Sequence, residues 1–162
     1  MSDLSSILCR SAGMKRRHRI TRPEATEVIL EACPGFRKWV NKFPELFTFQ
    51  SWQENSRAVM ATFFANFASH LLMQHQLENT DALDAAAKAI EHLRKDGNAS
   101  VNTVSMRDFL ESVDSIWSAG KVDPCEFFRF LRPHTRKYWS EVRQKPLLVP
   151  LTTSTAHIGA YE

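Results

Sequence analysis

The chain has 162 residues, 43% hydrophobic and 24% charged, with 21 Lys and Arg against 18 Asp and Glu. That length suits one domain with a real core, and the composition is that of an ordinary globular protein. No continuous apolar stretch within residues 1–30 reads as a signal peptide, and no apolar run approaches a membrane span, so the expectation is a cytoplasmic protein with no membrane partner.

The charge is strongly segregated along the chain. Arg10, Lys15, Arg16, Arg17, Arg19 and Arg22 precede Pro23 with no acid among them after Asp3. Residues 44–126 hold twelve acids against six Lys and Arg, and residues 129–145 hold six bases against the single acid Glu141. Basic ends around an acidic middle are the electrostatic footprint of a nucleic-acid binder. The competing reading of any basic run is a solvated face or a flexible arm.

Taken in order, residues 3–13 predict a short first helix carrying Leu4, Ile7 and Leu8. The next helix has an explicit start. Thr21 occupies the N-cap position, Glu24 follows at the capping-box spacing, and Pro23 lies in the first turn where its missing N–H costs nothing. Val28, Ile29 and Ala32 mark its apolar side, and Cys33-Pro34-Gly35 marks its end. With a turn near His18–Thr21, the two helices form a helix-turn-helix-like pair over residues 3–34, and the cations at 15–22 sit where phosphate is gripped in such motifs.

Gly35–Ser51 reads as an irregular connection, broken by Pro34 and Pro44, whose Phe36, Trp39, Phe43, Leu46, Phe47 and Phe49 must nevertheless pack, and whose Arg37, Lys38 and Lys42 add positive charge. Trp52–Leu77 is the strongest helical pattern, with Trp52, Val59, Met60, Phe63, Phe64, Phe67, Leu71 and Leu72 at helical spacing, a stripe suited to core or subunit interface. His70 and His75 are five apart, off the i,i+4 spacing that would put two metal ligands on one face.

Asn79-Thr80 opens an alanine-rich helix that closes on Arg94-Lys95 and Asp96-Gly97-Asn98. A polar loop to Ser105 and a helix over Met106–Ser118 follow. Pro124–Val142 predicts a helix kinked or split at Pro133, and the tail from residue 146 has no helical period. With no strand pattern anywhere, the expected fold class is all-α. The expected organisation is one helical domain over residues 1–145, with its core at 36–145, and a flexible tail at 146–162.

Cys9, Cys33 and Cys125 are an odd, widely spaced set without a C-x-x-C pair, which argues against a disulfide framework. Neither a phosphate loop nor a nucleophile elbow, zinc-protease motif or dinucleotide fingerprint is present, and Cys125 with His134 is better read as packed than as a thiol–imidazole pair. The chain does not read as an enzyme.

Residues 7–125 resemble the FlhC-like transcriptional activators, the family of the flagellar activator subunit FlhC and the conjugative-element activators SetC and AcaC. The likeness runs through Ile7-Leu8-Cys9-Arg10, then Ile20-Thr21-Arg22 with Val28, Ile29 and Glu31, then Trp52, Asn55 and Ala58. It continues through the aromatic stretch 63–72, Thr80-Asp81-Ala82 to Ala89, and Arg107 with Ser118-Ala119-Gly120-Lys121-Val122, ending at Cys125. The family's zinc is held by four cysteines, of which Cys125 alone is matched, so no zinc and no other cofactor is expected here. Phe127–Phe130 stands where the second cysteine of the first pair would lie, and the aromatic–basic helix Phe127–Trp139 is expected to supply by hydrophobic packing the order that metal supplies in the family. The resemblance implies a DNA-binding activator subunit working with a FlhD-like partner in a hetero-oligomer, upstream of RNA polymerase, at flagellar or conjugative-transfer promoters. On that reading Lys15, Arg16, Arg17, Arg19, Thr21 and Arg22 contact double-stranded DNA, Arg129, Arg132, Arg136 and Lys137 extend the footprint, and Trp52, Phe63, Phe64 and Phe67 form core or partner interface. The alternative is a non-enzymatic helical adaptor whose basic ends bind an acidic protein.

Overall fold

The structure, a computed structural model, describes residues 17–47 and 49–144, with side chains described outside 46–56 and 144. The helix expected over residues 3–13, and with it the first half of the helix-turn-helix-like pair, lies outside the described residues, as does the tail from 146. Within them the chain is all-α: α1 (Arg22–Ala32), α2 (Pro34–Val40), a 3-10 turn (Pro44–Phe47), α3 (Phe49–Gln76), α4 (Thr80–Asp96), a π-helix (Ser100–Ser105), α5 (Met106–Ala119), α6 (Cys125–Phe128) and α7 (Pro133–Gln144). None of these helices is long and apolar enough to cross a membrane.

α1 begins where its capping residues dictate. Glu24 Oε2 accepts from both the backbone N and the Oγ1 of Thr21, each at 2.8 Å, which completes the capping box. Pro34 then does two things, and one of them departs from expectation. It stops α1 at Ala32, and as the first residue of α2 it also starts a helix at once, so the connection expected to be irregular is helical over Pro34–Val40. Cys33 is the hinge between the two. Its thiol is buried, and that burial pushes its pKa up to about 11, the state of an inert core cysteine.

The core is aromatic. Phe63, Phe64 and Phe67 of α3, Phe109 and Trp117 of α5, and Phe127 of α6 are fully buried. Phe109 meets Phe64 at 5.4 Å and Phe67 at 5.6 Å between ring centroids, and Phe127 closes on Phe109 at 5.9 Å and on Trp117 at 5.8 Å. Each fully buried ring contributes about 2–3 kcal/mol. Trp117 also meets the polar requirement of burial by donating Nε1–H to the Ala68 carbonyl at 3.1 Å. α3 therefore belongs to the centre of the fold, with α5 packed along it. It ends where Glu78 adopts a left-handed φ of 55°.

One further departure concerns the second half. The stretch before α5, expected as a polar loop, is the π-helix Ser100–Ser105, with Val101 and Ser105 buried. The aromatic–basic stretch splits at Pro133 into α6 and α7 as expected, because proline starts α7 in the first turn and cannot continue a preceding helix.

Ile20, just before α1, forms a parallel bridge with Gly97, just after α4. Ile20 N donates to Asp96 O and Asn98 N donates to Ile20 O, both at 2.9 Å. Only glycine fits there: a Cβ on Gly97 would lie 2.5 Å from the Leu93 carbonyl oxygen and 2.7 Å from Val101 Cγ1. Gly97→Ala should therefore destabilise the fold by about 1–3 kcal/mol through forced displacement. Urea denaturation gives the size, and amide exchange at Ile20 and Asn98 should accelerate more than exchange in α5.

Candidate nucleic-acid interface

The bridge fixes the position of the N-terminal cations. Arg17 Nη2 pairs with Asp96 Oδ1 at 2.8 Å, and Arg19 Nη1 donates to the Lys95 carbonyl at 3.1 Å. His92 shares Asp96 through Oδ2 at 3.1 Å. Arg17 and Arg19 thus stand beside Arg94 and Lys95 in the last turn of α4, 75 or more positions away in sequence. The Arg17 side chain stays 77% exposed, so its pair with Asp96 is a loose surface contact worth at most about 1 kcal/mol and open to exchange with another anion.

α7 brings the second basic segment to the same end. Its first turn is anchored by Glu91 of α4, whose carboxylate accepts from the backbone N of His134 (3.1 Å) and Thr135 (2.9 Å) and from the Oγ1 of Thr135 (2.8 Å). His134 Nδ1 lies 2.7 Å from the same carboxylate. Glu91 thus caps a neighbouring helix, satisfying N–H groups that an α-helix leaves open at its start. Burial raises its pKa, but the Thr135 and His134 donors outweigh burial and hold it below the ordinary 4.5.

From this anchor α7 runs past Arg94. The Arg94 guanidinium lies 4.4 Å from the centre of the Tyr138 ring and donates from Nη1 to Asn102 O at 2.8 Å. Tyr138 Oη donates to Thr103 O at 2.8 Å. The result is an open cleft of about 380 Å³ lined by Arg94, Lys95, His134, Lys137, Tyr138 and Glu141.

Of the residues expected to touch DNA, Arg17, Arg19 and Lys137 share this end; Lys15 and Arg16 lie outside the described residues. The others are placed differently. Thr21 serves the capping box, and half-buried Arg22 acts on Asp108, whose pKa burial raises against the fields of Arg57, Arg107 and Arg22. Arg129 pairs with Glu126 and covers Phe130, Arg132 pairs with Asp84, and Arg136 donates to the carbonyls of Leu131 and Arg129. Phe63, Phe64 and Phe67 are core side chains; that of Trp52 lies outside those described. Among the described residues no group of three or more His, Cys, Asp or Glu converges as a metal site.

In the sequence, Arg94 and Lys95 at the end of α4 look like complements of the helix dipole rather than ligand contacts. A basic pair in a last helical turn followed by glycine was the available signal, and it did not reveal which segments would join it.

Fold and site together define an all-helical module with a composite basic end built from three separate segments. The chain belongs to the family described as a domain of unknown function, DUF7674, whose sequence profile matches residues 26–145. No curated protein and no solved structure matches it.

The same carboxylates set the acid response. Hydrogen bonds from Thr21, then from His18, lower the Glu24 pKa from 4.5 to about 2, and the Glu91 pKa is lowered as well. A carboxylate with a depressed folded pKa stabilises the fold above its unfolded value and loses that contribution as it is protonated. Stability should therefore fall as pH drops from about 4.5 towards 2. Glu91→Gln should cost about 1–3 kcal/mol at neutral pH and flatten that fall, read by thermal melts across the range. Glu141→Gln, at an exposed position, should do neither.

Proposed function

We propose that the chain is a non-enzymatic DNA-binding module, the FlhC-like subunit of a transcriptional activator, which grips the duplex backbone with its basic end beside a FlhD-like partner. The observation that carries this reading is the convergence of Arg17, Arg19, Arg94, Lys95 and Lys137 at one end of the molecule. Lys15 and Arg16 are next in sequence to that surface. Phosphate neutralisation is the main source of duplex affinity, and it needs this kind of clustered, exposed cation.

The mode of contact is backbone grip rather than base reading by α1. Beyond the cap, α1 presents exposed Glu24, Glu27 and Glu31, three carboxylates that a phosphate-lined groove repels. Base recognition on this reading comes from elsewhere in the hetero-oligomer, and contact with RNA polymerase follows from the FlhC resemblance.

A second reading, an adaptor for an acidic protein, is favoured by the loose internal pairing of Arg17 with Asp96 and of Lys137 with Glu141. A mixed surface of this kind also suits carboxylates presented singly by a protein.

A specificity ratio separates them. With its partner, the DNA-binding subunit should prefer promoter duplex over random duplex by about 10³ or more at physiological salt. Arg17→Gln with Arg19→Gln should weaken all duplex binding and reduce the salt slope by about one for each phosphate no longer neutralised. Fluorescence anisotropy from about 50 to 300 mM salt, concentrations of the order used to resolve such slopes, reads both quantities. Unchanged duplex affinity in that variant would sink the DNA reading, and capture of an acidic protein instead would select the adaptor.

A further inference from the structure

We propose that the cleft between α4 and α7 is a phosphate-binding pocket in its own right, for a phosphoryl group presented either by a nucleic-acid backbone or by a small organic phosphate. This rests in part on the basic-end reading; the two surfaces meet at Lys95, whose backbone carbonyl accepts from Arg19 while the residue itself lines the cleft.

Three side chains of positive charge face the cleft, Arg94, Lys95 and Lys137. Arg94 is preorganised: Nη1 is held on Asn102 O and its guanidinium carbon sits 4.4 Å from the centre of the Tyr138 ring, which restrains where its remaining donors point. The Asn102 and Thr103 carbonyls that hold Arg94 and Tyr138 belong to the π-helix, a local widening that recurs at functional sites. Lys137 is held only loosely, 4.0 Å from Glu141 across one turn, with both side chains more than half exposed. Among the described residues no carboxylate lies within ion-pair distance of Lys95. His134 is oriented by Glu91 at Nδ1, which leaves Nε2 as the ring atom open to a ligand. A pre-formed floor, a fixed guanidinium and two mobile ammonium groups make a pocket for a multiply charged oxyanion.

The size agrees with that class. At about 380 Å³ the cleft exceeds one phosphate and accommodates a diphosphate or a sugar phosphate. Tyr138 is 8% exposed and covered by Arg94, so the cleft offers no aromatic face for a base to stack on. It recognises the phosphoryl group, not the base.

The test is a titration of the full chain with inorganic pyrophosphate, glucose 6-phosphate and a random duplex, followed by calorimetry and by amide shifts. Lys95→Gln with Lys137→Gln removes the two mobile cations at exposed positions. That variant should lose at least about tenfold in pyrophosphate affinity, with wild-type shifts centred on residues 94–95 and 134–138. Arg17→Gln with Arg19→Gln, which removes no side chain that lines the cleft, should weaken pyrophosphate binding clearly less than the Lys95/Lys137 variant does. Glucose 6-phosphate binding that follows the same pattern identifies a free phosphate ester as the source; binding of duplex alone, abolished in the Lys95/Lys137 variant, identifies the backbone. Shifts spread evenly over the surface, or affinity for all three ligands that Lys95→Gln with Lys137→Gln leaves unchanged, would overturn the pocket. Duplex binding that survives that variant but not the Arg17/Arg19 one would keep the DNA reading and remove the pocket. Pyrophosphate binding without duplex binding does the reverse.

Discussion

The last two turns of α4 hold the basic end together. Glu91 caps α7, Arg94 reaches the π-helix, Asp96 takes Arg17 and His92, and the backbone from Asp96 to Asn98 bonds Ile20. Segments distant in sequence are therefore fixed by one helix end. Most of these bonds are partly exposed, and singly such contacts contribute little. Their effect is geometric: each fixes one segment against the end of α4.

The core supplies the rigidity against which that end is built. The buried Phe and Trp rings of α3, α5 and α6 form a continuous aromatic contact path, and α4 joins it through Leu83, Ala86, Ile90 and Leu93. The small residues Ala86, Ala87 and Ala89 let neighbouring helices come close to α4.

What was legible in the sequence was local. The capping box at Thr21 and Glu24 involves residues three apart, and Asn79 caps α4 by accepting from Ala82 N, so both helix starts could be read directly. The aromatic period of α3 was legible for the same reason. Pro34 misled because one proline both terminates a helix and begins another, and only packing of Phe36 against Phe63 and Phe67 decides that the second forms. The π-helix carries no periodic signal: Ser100, Asn102 and Thr103 are polar, and its stability comes from Arg94 and Tyr138, eight and 35 positions away. The site was half legible. Clusters of charge were visible, but Arg132 meeting Asp84 and Arg143 meeting Asp114 are tertiary pairings, and they decide which cations are spent on the fold.

That division bears on how strongly the basic end can bind. The C-terminus of α4 carries the negative end of a helix dipole, and Glu91, Asp96 and Glu141 lie around it, so Arg94 and Lys95 partly neutralise local charge before any ligand arrives. A formal net charge of +3 for the whole chain is consistent with such a balance. If the proposed binding holds, the end is suited to exchange, in which an arriving phosphate displaces a weakly held carboxylate, rather than to tight static capture. Exchange of this kind is strongly screened by salt and has little preference among phosphate-bearing ligands on its own. On the proposed reading, specificity then has to come from geometry: from the Arg94–Tyr138 floor, which would fix where one phosphoryl group can sit, and from what the proposed partner would place beside it.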